Sequence, residues 1–538
     1  VATSFRRRST TDTRPNLALA TLSLVLFLTF LDNTIVSVVL ADVQSGFHTG
    51  VSQLQWVVNG YALAFASLML VFGALSDLFG RKKVMLGGVA LFCAGSVVGA
   101  LSPDVHVLIA GRVIMGVGAA ASEPGTLSMI RHLYPGRRER ARALGVWAAV
   151  SGLALALGPV IGGVLAGVWS WRAIFWFNLF FGGIALVAAA WVLPENADPV
   201  DRRLDVRGFV LGAGALSAAT FAVTAGESAG YGTWWIETLF TVAAVAAVGF
   251  VAVERQAQNP MLNVRSFRQP AFTGANVVAF STYFAIFAIF FFVALYLQVV
   301  GTNSPYRTAL DFVPMAGGMV VASVFAGRWV AAMGARIPMA FGCALAAAGV
   351  LLTDHYLTPT AGIGQIGWPL ALAGIGFGVA IVPVTSVSLS VIPAEHSGMA
   401  ASMTNTSREL GAVAGVAVLG SMVNGQLTVN LLRQLSAIGI PKQFQNEVIV
   451  AVTTGTFGTQ AAKAAGGNAA VATIVHKIES AAYGAFAHGL DLSLMAAGAL
   501  MLLSALVAAA SMPGRRRAAG HAWLGDGDDG EAEPAVSA

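Results

Sequence analysis

Five ionisable residues sit where apolar runs would carry the chain through lipid: Asp32 in FLTFLDNTIVSVVLA, Arg112 and Glu123 in LIAGRVIMGVGAAASEPG, and the adjacent Arg408 and Glu409 in TNTSRELGAVAGVAVLG. Insertion scales charge about 2.5 to 3.5 kcal/mol for an arginine or aspartate at the centre of a membrane helix, so such residues face a bundle interior and find partners there. The chemistry open to an acid beside an arginine in that setting is reversible protonation. Burial disfavours a carboxylate and a neighbouring arginine favours it, so rearranging the pair would change its hold on a proton. No bond-making machinery accompanies these residues: the sequence has no GxxxxGK[ST] loop, no HExxH and no paired CxxC. Cys93 and Cys343 fall in different apolar segments, so neither a structural disulfide nor a metal site is expected. The expectation is a chain that is not an enzyme and uses no cofactor.

Spacing relates these residues to one another. Asp32 lies about 14 Å from the surface where the first span leaves near Ala41, and Arg112 about 9 Å from the same surface, where the fourth span enters near His106. They are level enough to pair. At 100° per residue, Glu123 returns to the helical face of Arg112, Gly116 and Ala119, about 16 Å further along. With Pro124 following, Glu123 either meets a kink and water near the helix end or forms a second protonatable group facing a cavity. Arg408 and Glu409 point some 100° apart, so they do not simply neutralise each other, and either is placed to reach the interior. Tyr61, Phe65, Trp147, Trp176, Asn178, Tyr296 and Gln298 are candidates to line a substrate cavity, with packing or interfacial anchoring as the alternative for the aromatic ones.

The elements that must position them follow from composition. Of 538 residues, 56% are apolar and 11% charged, and mean hydropathy is +0.74, far from the averages of soluble domains. Runs of about 20 apolar residues, enough to cross a bilayer, recur with centres near Val25, Phe65, Phe92, Gly116, Ala154, Ile184, Gly214, Val245, Phe287, Val320, Leu345, Phe377, Ala412 and Ala499. That predicts an all-α polytopic membrane protein with fourteen transmembrane helices. Most of the 31 basic residues fall in the tails and in alternate connections, as at Arg81 to Lys83, Arg137 to Arg142 and Arg515 to Arg517. By the positive-inside rule both termini are expected in the cytoplasm. The net charge of +5 and pI near 9.4 therefore belong to loops that face anionic lipid, and nucleic acid is not an expected partner. The first apolar run is too long for a signal peptide and is expected to be retained.

GALSDLFGRKK from Gly73 and GRWVAAMGARIP from Gly327 share the spacing Gly73 to Gly80 and Gly327 to Gly334, with Ala331 where Asp77 stands. An internal duplication is implied: two six-helix bundles, helices 1 to 6 and 9 to 14, with two helices inserted between them. The expected boundaries are a basic tail at 1–16, a first bundle at 17–193, linker helices and loops at 194–271, a second bundle at 272–511 and a disordered acidic tail at 512–538. The second bundle would include a long outer connection over 424–480, in which AAKAAGGNAAVATIVHKIES has the pattern of a short amphipathic helix.

Gly73, Asp77, Gly80, Arg81 and Lys82 in GALSDLFGRKKV closely resemble the signature loop of the major facilitator superfamily. LIAGRVIMGVGAA resembles the superfamily pattern of an arginine ahead of Gly-x-Gly, with Met115 where relatives often carry glutamine. Gly145, Gly152, Gly158, Pro159, Gly162 and Gly163 in GVWAAVSGLALALGPVIGG resemble the antiporter motif of its exporters, with Ala154 replacing one usual glycine. LDNTIVSVVLADVQ, LQWVVNGYALA, WRAIFWFN, ERQAQNPML and YLQVVGTNSP extend the likeness to the fourteen-span drug:proton antiporter branch over nearly the whole chain. Ser37, Val39 and Ala41 depart from its commoner Asn, Ala and Pro, while Asp32 is retained.

The resemblance implies a major facilitator fold that rocks its halves about a central cavity and exports drugs or other amphiphiles across the bacterial cytoplasmic membrane, driven by the proton gradient. It implies proton coupling at Asp32, Arg112 and Glu123, and a signature-loop Asp77 that caps the thirteenth helix near Gly398. Expected partners are a small amphiphile, protons and membrane lipids. Two alternatives stay open: the cargo is an endogenous lipid, siderophore or metabolite, or the chain is a membrane sensor or scaffold in which Asp32 and Arg112 form a structural ion pair. Cargo, proton stoichiometry and oligomeric state are not legible.

Overall fold

The computed structural model describes residues 15–134, 136–195, 206–256, 264–392, 397–437 and 469–512, with isolated positions between 440 and 448. The basic and acidic tails expected from sequence lie outside the described residues. Within them the chain forms fourteen long helices: α1 (Pro15–Phe47), α2 (Val51–Phe79), α3 (Arg81–Ala100), α4 (Val105–Leu133), α5 (Arg137–Val168), α6 (Ala173–Val192), α7 (Val206–Ala229), α8 (Trp234–Gln256), α9 (Pro270–Val299), α10 (Pro305–Met333), α11 (Arg336–Tyr356), α12 (Ile363–Val391), α13 (Ser397–Ala437) and α14 (Ala469–Ser511). Twelve of them contain stretches long and apolar enough to cross a membrane, and α7 carries a shorter apolar stretch at Val210–Gly226. Helix is the structure such a setting demands, because backbone groups in hydrocarbon must find partners within their own segment.

Local sequence sets the ends. Asp104 caps α4, its carboxylate accepting from the backbone N–H of His106 at 2.8 Å and of Val107 at 3.0 Å. Gly80 ends α2 at φ +105° and Gly334 ends α10 at φ +80°, conformations that a Cβ would strain. These are equivalent places in the two glycine-spaced repeats.

Helices 1 to 6 and 9 to 14 form two six-helix bundles, and their packing repeats with an offset of eight helices. In the first, α1 packs on α5 and α6, α2 on α4, and α3 on α4 and α6. In the second, α9 packs on α13 and α14, α10 on α12, and α11 on α12 and α14. Small residues make the closest approaches in both. A Cβ on Gly95 would lie 2.8 Å from the Gly111 carbonyl oxygen of α4, and one on Gly342 would lie 2.9 Å from the Gly376 carbonyl oxygen of α12. In lipid, such close backbone packing replaces the hydrophobic effect as the force that holds helices together.

The halves meet along two seams, α5 against α10 and α2 against α13, which the eight-helix offset exchanges. The inserted α7 packs on both α2 and α13, with an Asn59 amide bond to Thr224 Oγ1 at 3.3 Å, and α8 packs on α7. Let the end carrying the Arg81–Lys83 connection be the loop end. There Gly73 lies against Ser402 of α13; at the far end Gly163 and Gly167 lie against Pro305, Ala309 and Tyr306 of α10. The bundles are thus in contact at both ends.

The helices run further than the sequence reading allowed. α13 continues through Asn424 to Ala437 and α14 starts at Ala469, so the expected connection over 424–480 is partly helical. The reason is a four-residue apolar repeat: Leu427, Leu431 and Leu435 are buried in the same core as Ile478, Ala481, Ala482 and Ala485. The centre of that connection lies outside the described residues.

Two motif glycines make contrasting predictions. Gly162 abuts the Ile35 carbonyl and side chain of α1, whereas nothing lies within 4 Å of a Cβ on Gly145. Gly162→Leu should cost about 1–3 kcal/mol by overpacking and lower the melting temperature of the detergent-purified protein by several degrees, while Gly145→Leu should leave it unchanged. Equal melting temperatures for the two variants would contradict this packing.

Candidate functional site

The centre of the first bundle is built around Asp32 and Arg112, both fully buried. Arg112 Nη1 forms an ion pair with Asp32 Oδ2, and Nη2 reaches the Asp32 carbonyl at 3.5 Å. The remaining Arg112 donor visible here, Nε, bonds the Val57 carbonyl of α2 at 2.9 Å, and the guanidinium lies 4.5 Å from the centre of the Tyr61 ring. Gly116, one turn beyond Arg112, sits against the Tyr61 carbonyl, one turn beyond Val57. That close approach of α4 to α2 puts the guanidinium within reach of the backbone. Tyr61 in turn donates to the Thr29 carbonyl at 2.8 Å, and Asn178 of α6 donates to Asp32 Oδ1 at 2.6 Å. Four helices therefore converge on one carboxylate and one guanidinium, as a buried pair requires if desolvation is to be offset.

A second polar set crosses between the bundles. Asn33, next to Asp32, donates to Glu409 Oε1 of α13 at 2.9 Å. Asn405 of α13 donates to Glu123 Oε1 of α4 at 2.6 Å and accepts from Arg408 at 3.0 Å. Arg408 also donates to Thr385 Oγ1 of α12 at 2.6 Å and lies 5.6 Å from the Tyr283 ring centre. The second carboxylate oxygens of Glu123 and Glu409 are buried without a hydrogen-bond partner among the described residues. Gln298 of α9 donates to the Val38 carbonyl at 2.7 Å, meeting α1 where it tightens into a 3₁₀ turn over Val36–Val39. A cavity of only about 10 Å³, enough for a water at most, lies between Leu127 and Trp147 of the first bundle and Thr385, Ser388, Thr404, Asn405 and Arg408 of the second.

The sequence-derived candidates sort themselves on this geometry. Asp32, Arg112, Glu123, Arg408, Glu409, Tyr61, Trp147, Asn178 and Gln298 are buried and drawn into the two networks, with Phe65 packed 5.7 Å from Tyr61. Trp147 donates to Thr126 Oγ1 at 3.0 Å. Trp176 is a correction: 46% exposed on α6, it stands on the outside of the bundle, where an indole suits the membrane interface rather than a cavity. Tyr296 is buried but lies with Asp354 and Asp491 inside the second bundle, away from Asp32. In the signature loop, Lys82 Nζ donates to the Ala190 carbonyl of α6 at 2.7 Å and Arg81 opens α3. The Asp77 side chain and those at the start of α13 near Gly398 lie outside what is described, and so does the expected capping contact. In the antiporter motif, Gly158 and Gly162 press on Thr34 and Ile35 of α1 just beyond Asp32, and Pro159 lies within a continuous α5. Asn33, Asn405 and Thr385 were missed by sequence reasoning. The available signals were polarity next to Asp32 and one turn before Arg408.

A family model described as Major Facilitator Superfamily matches residues 22–416. The chain belongs to that superfamily. It is 32% identical over 436 residues to the multidrug resistance protein Stp of Mycobacterium tuberculosis, covering 81% of each chain. It is 33% identical over 410 residues to the methylenomycin A resistance protein of Bacillus subtilis, covering 76% of this chain and 87% of that one. With the tetracenomycin C resistance and export protein of Streptomyces glaucescens it shares 29% identity over 502 residues, covering 92% and 91%. Its fold is similar to that of a bacterial homologue of the human lysosomal transporter Spinster, with a TM-score of 0.62 at 17% identity, covering 94% and 100%. The chain is thus a membrane transporter of the major facilitator superfamily with multidrug efflux relatives, and not an enzyme.

Because the superfamily fold buries Asp32 and Arg112 together, their energetics are coupled. Arg112→Leu alone strands a carboxylate and should destabilise by about 3–5 kcal/mol, whereas Asp32→Leu combined with Arg112→Leu should be close to neutral. Thermal unfolding of the wild type, Asp32→Leu, Arg112→Leu and the double variant in detergent measures this, and additive losses would exclude the coupling.

Proposed function

We propose that this protein is a proton-coupled antiporter that exports drugs or other amphiphilic small molecules from the bacterial cytoplasm, with both termini on the cytoplasmic side. The observation that carries the reading is the adjacency of Asp32, held by Arg112 and Asn178, to Asn33, which bonds Glu409 across the bundle interface. A proton arriving on Asp32 removes the charge that fixes Arg112 and Asn178. Consecutive residues on one helix turn transmit that change to the bond between the halves. The antiporter-motif glycines act on the same place, since Gly158 and Gly162 contact α1 at Thr34 and Ile35. Glu123 and Glu409, each bonded through one oxygen to an asparagine of the other bundle, are proposed as further protonatable groups whose bonds break when the halves part.

The signature loop Gly73, Asp77, Gly80, Arg81 and Lys82 is proposed to steady one conformation by holding the loop ends of α2, α3 and α13 together. Buried Tyr61, Phe65, Trp147, Asn178, Gln298, Arg408 and Glu409 are proposed to become cavity walls when the halves separate. Drug-sized ligands need about 300–1,000 Å³ and the closed centre offers far less, so passage requires such separation. The relatives' names support drug-like cargo.

The test is expression in an efflux-deficient bacterium together with everted vesicles. The protein should raise resistance to amphiphilic drugs several-fold and dissipate an imposed pH gradient when drug is added, and Asp32→Asn should abolish both. Full proton-dependent efflux by Asp32→Asn would sink the proposal. So would full activity of the charge-swapped Asp32→Arg, Arg112→Asp protein, which a purely structural pair predicts.

A further inference from the structure

The eight-helix offset exchanges the α2–α13 and α5–α10 seams, so identical halves would part to the same extent along both. The two seams are not alike. In the α5–α10 seam, Gly145 to Gly163 and Ala309 to Gly327 each span about five full turns, so Gly145 and Gly327 repeat the facing positions of Gly163 and Ala309 about 27 Å nearer the loop end. A Cβ on Gly163 would lie 2.6 Å from the Pro305 carbonyl oxygen, and one on Gly152, between Gly145 and Gly163, would lie 3.8 Å from Ser323 Oγ. Nothing among the described residues lies within 4 Å of a Cβ on Gly145 or on Gly327. This seam is a wedge, shut at the far end and parted at the loop end.

The α2–α13 seam is filled at the equivalent place. Gly73 stands in the first glycine-spaced repeat where Gly327 stands in the second, and a Cβ on it would lie 3.8 Å from Ser402 Oγ of α13, an ordinary packing contact. The inserted α7 then adds a second set of contacts to this seam alone, since it packs on both α2 and α13. Thr224 Oγ1 accepts from the Asn59 amide with both side chains buried, and the Phe221 ring lies 5.0 Å from that of Trp56. Neither inserted helix packs on α5 or α10 among the described residues. Packing and interhelical hydrogen bonds are what hold helices together in lipid, so the contacts that resist separation are concentrated on one side of the molecule.

We propose that α7 is a strap that keeps the α2–α13 seam closed while the halves part along α5–α10, turning a symmetric opening of the loop end into a one-sided one. The α2–α13 seam is then the hinge and the α5–α10 seam the opening. This gives the inserted pair, which no step of the cycle above uses, a mechanical task. The inference rests on the reading that the halves separate during transport and concerns only the seam along which they do so.

The experiment is double electron–electron resonance on the full-length protein in lipid nanodiscs, with Cys93→Ala and Cys343→Ala as background. Spin labels go on two cysteine pairs at corresponding places in the two bundles, Ala149→Cys with Ile337→Cys across α5–α10 and Lys83→Cys with Ser402→Cys across α2–α13. Between the parent and Asp32→Asn, which stands for the protonated acid, the first distance should change by about 5 Å or more and the second by less than about 2 Å. Adding Phe221→Ala and Thr224→Ala, which loosen α7 and leave both bundles untouched, should bring the second change up to the first, with melting temperature verifying that the protein is folded. Equal changes across both seams with α7 intact overturn the strap and leave the antiport reading standing. A second distance that stays fixed in the folded Phe221→Ala, Thr224→Ala protein shows that α7 does not hold the seam and overturns it as well. No change across either seam contradicts the parting of the halves and overturns both the strap and the reading beneath it.

Discussion

A charged pair cut off from water has to be satisfied entirely by protein, and the first bundle is arranged around that requirement. Arg112 takes Asp32, the Val57 carbonyl and the Tyr61 ring, and Asp32 takes Arg112 and Asn178. These partners come from α1, α2, α4 and α6, so the pair fixes the rotation of four helices at once. Gly116 is what lets it do so: a side chain at that position would drive α4 from the Tyr61 carbonyl and withdraw Arg112 from Val57. A lone acid or a lone arginine would have demanded the same helices without neutralising its charge.

The second constraint is duplication. The same helix-packing pattern recurs eight helices later, down to the glycine that ends α2 and the one that ends α10. Corresponding helices also distort: α1 tightens at Val36–Val39, and α9 widens into a π turn at Ile289–Val293. Irregular turns inside helices often mark functional sites, and these two face each other across the bundle interface. The halves are not chemically equal, however. Ala331 replaces the signature-loop acid, and Arg408 of the second half makes neutral partners, Asn405 and Thr385, where Arg112 has Asp32.

Hydropathy made the fourteen helices and their grouping legible, because a span in lipid must be long, apolar and helical regardless of its neighbours. Depth arithmetic brought Asp32 and Arg112 level, which suffices for a pair of costly charges. What pattern could not supply was anything decided by contact between distant helices. Asn33 looked like any polar neighbour of Asp32 until α13 put Glu409 beside it. Trp176 looked like a cavity aromatic because its rotation about α6 is set by packing, which periodicity in a uniformly apolar helix does not reveal. For the same reason the extensions of α13 and α14 past the expected membrane surface were hidden: their buried leucines stand among polar residues that resemble a loop.

The bonds that close the interface are of a size that a proton gradient can work against. Asn33 with Glu409, and Asn405 with Glu123, are amide-to-carboxylate bonds, each worth about 1.5–3 kcal/mol when the acceptor is charged. Neutralising a carboxylate lowers its bond to the smaller value of a neutral pair, about 0.5–1.5 kcal/mol. One charge falling through 100 mV supplies about 2.3 kcal/mol. In the proposed cycle a single proton therefore suffices to weaken a latch of this kind. Keeping the ion pair inside the first bundle, and bridging the interface with asparagines, separates the proposed proton site from the bonds that part in that cycle.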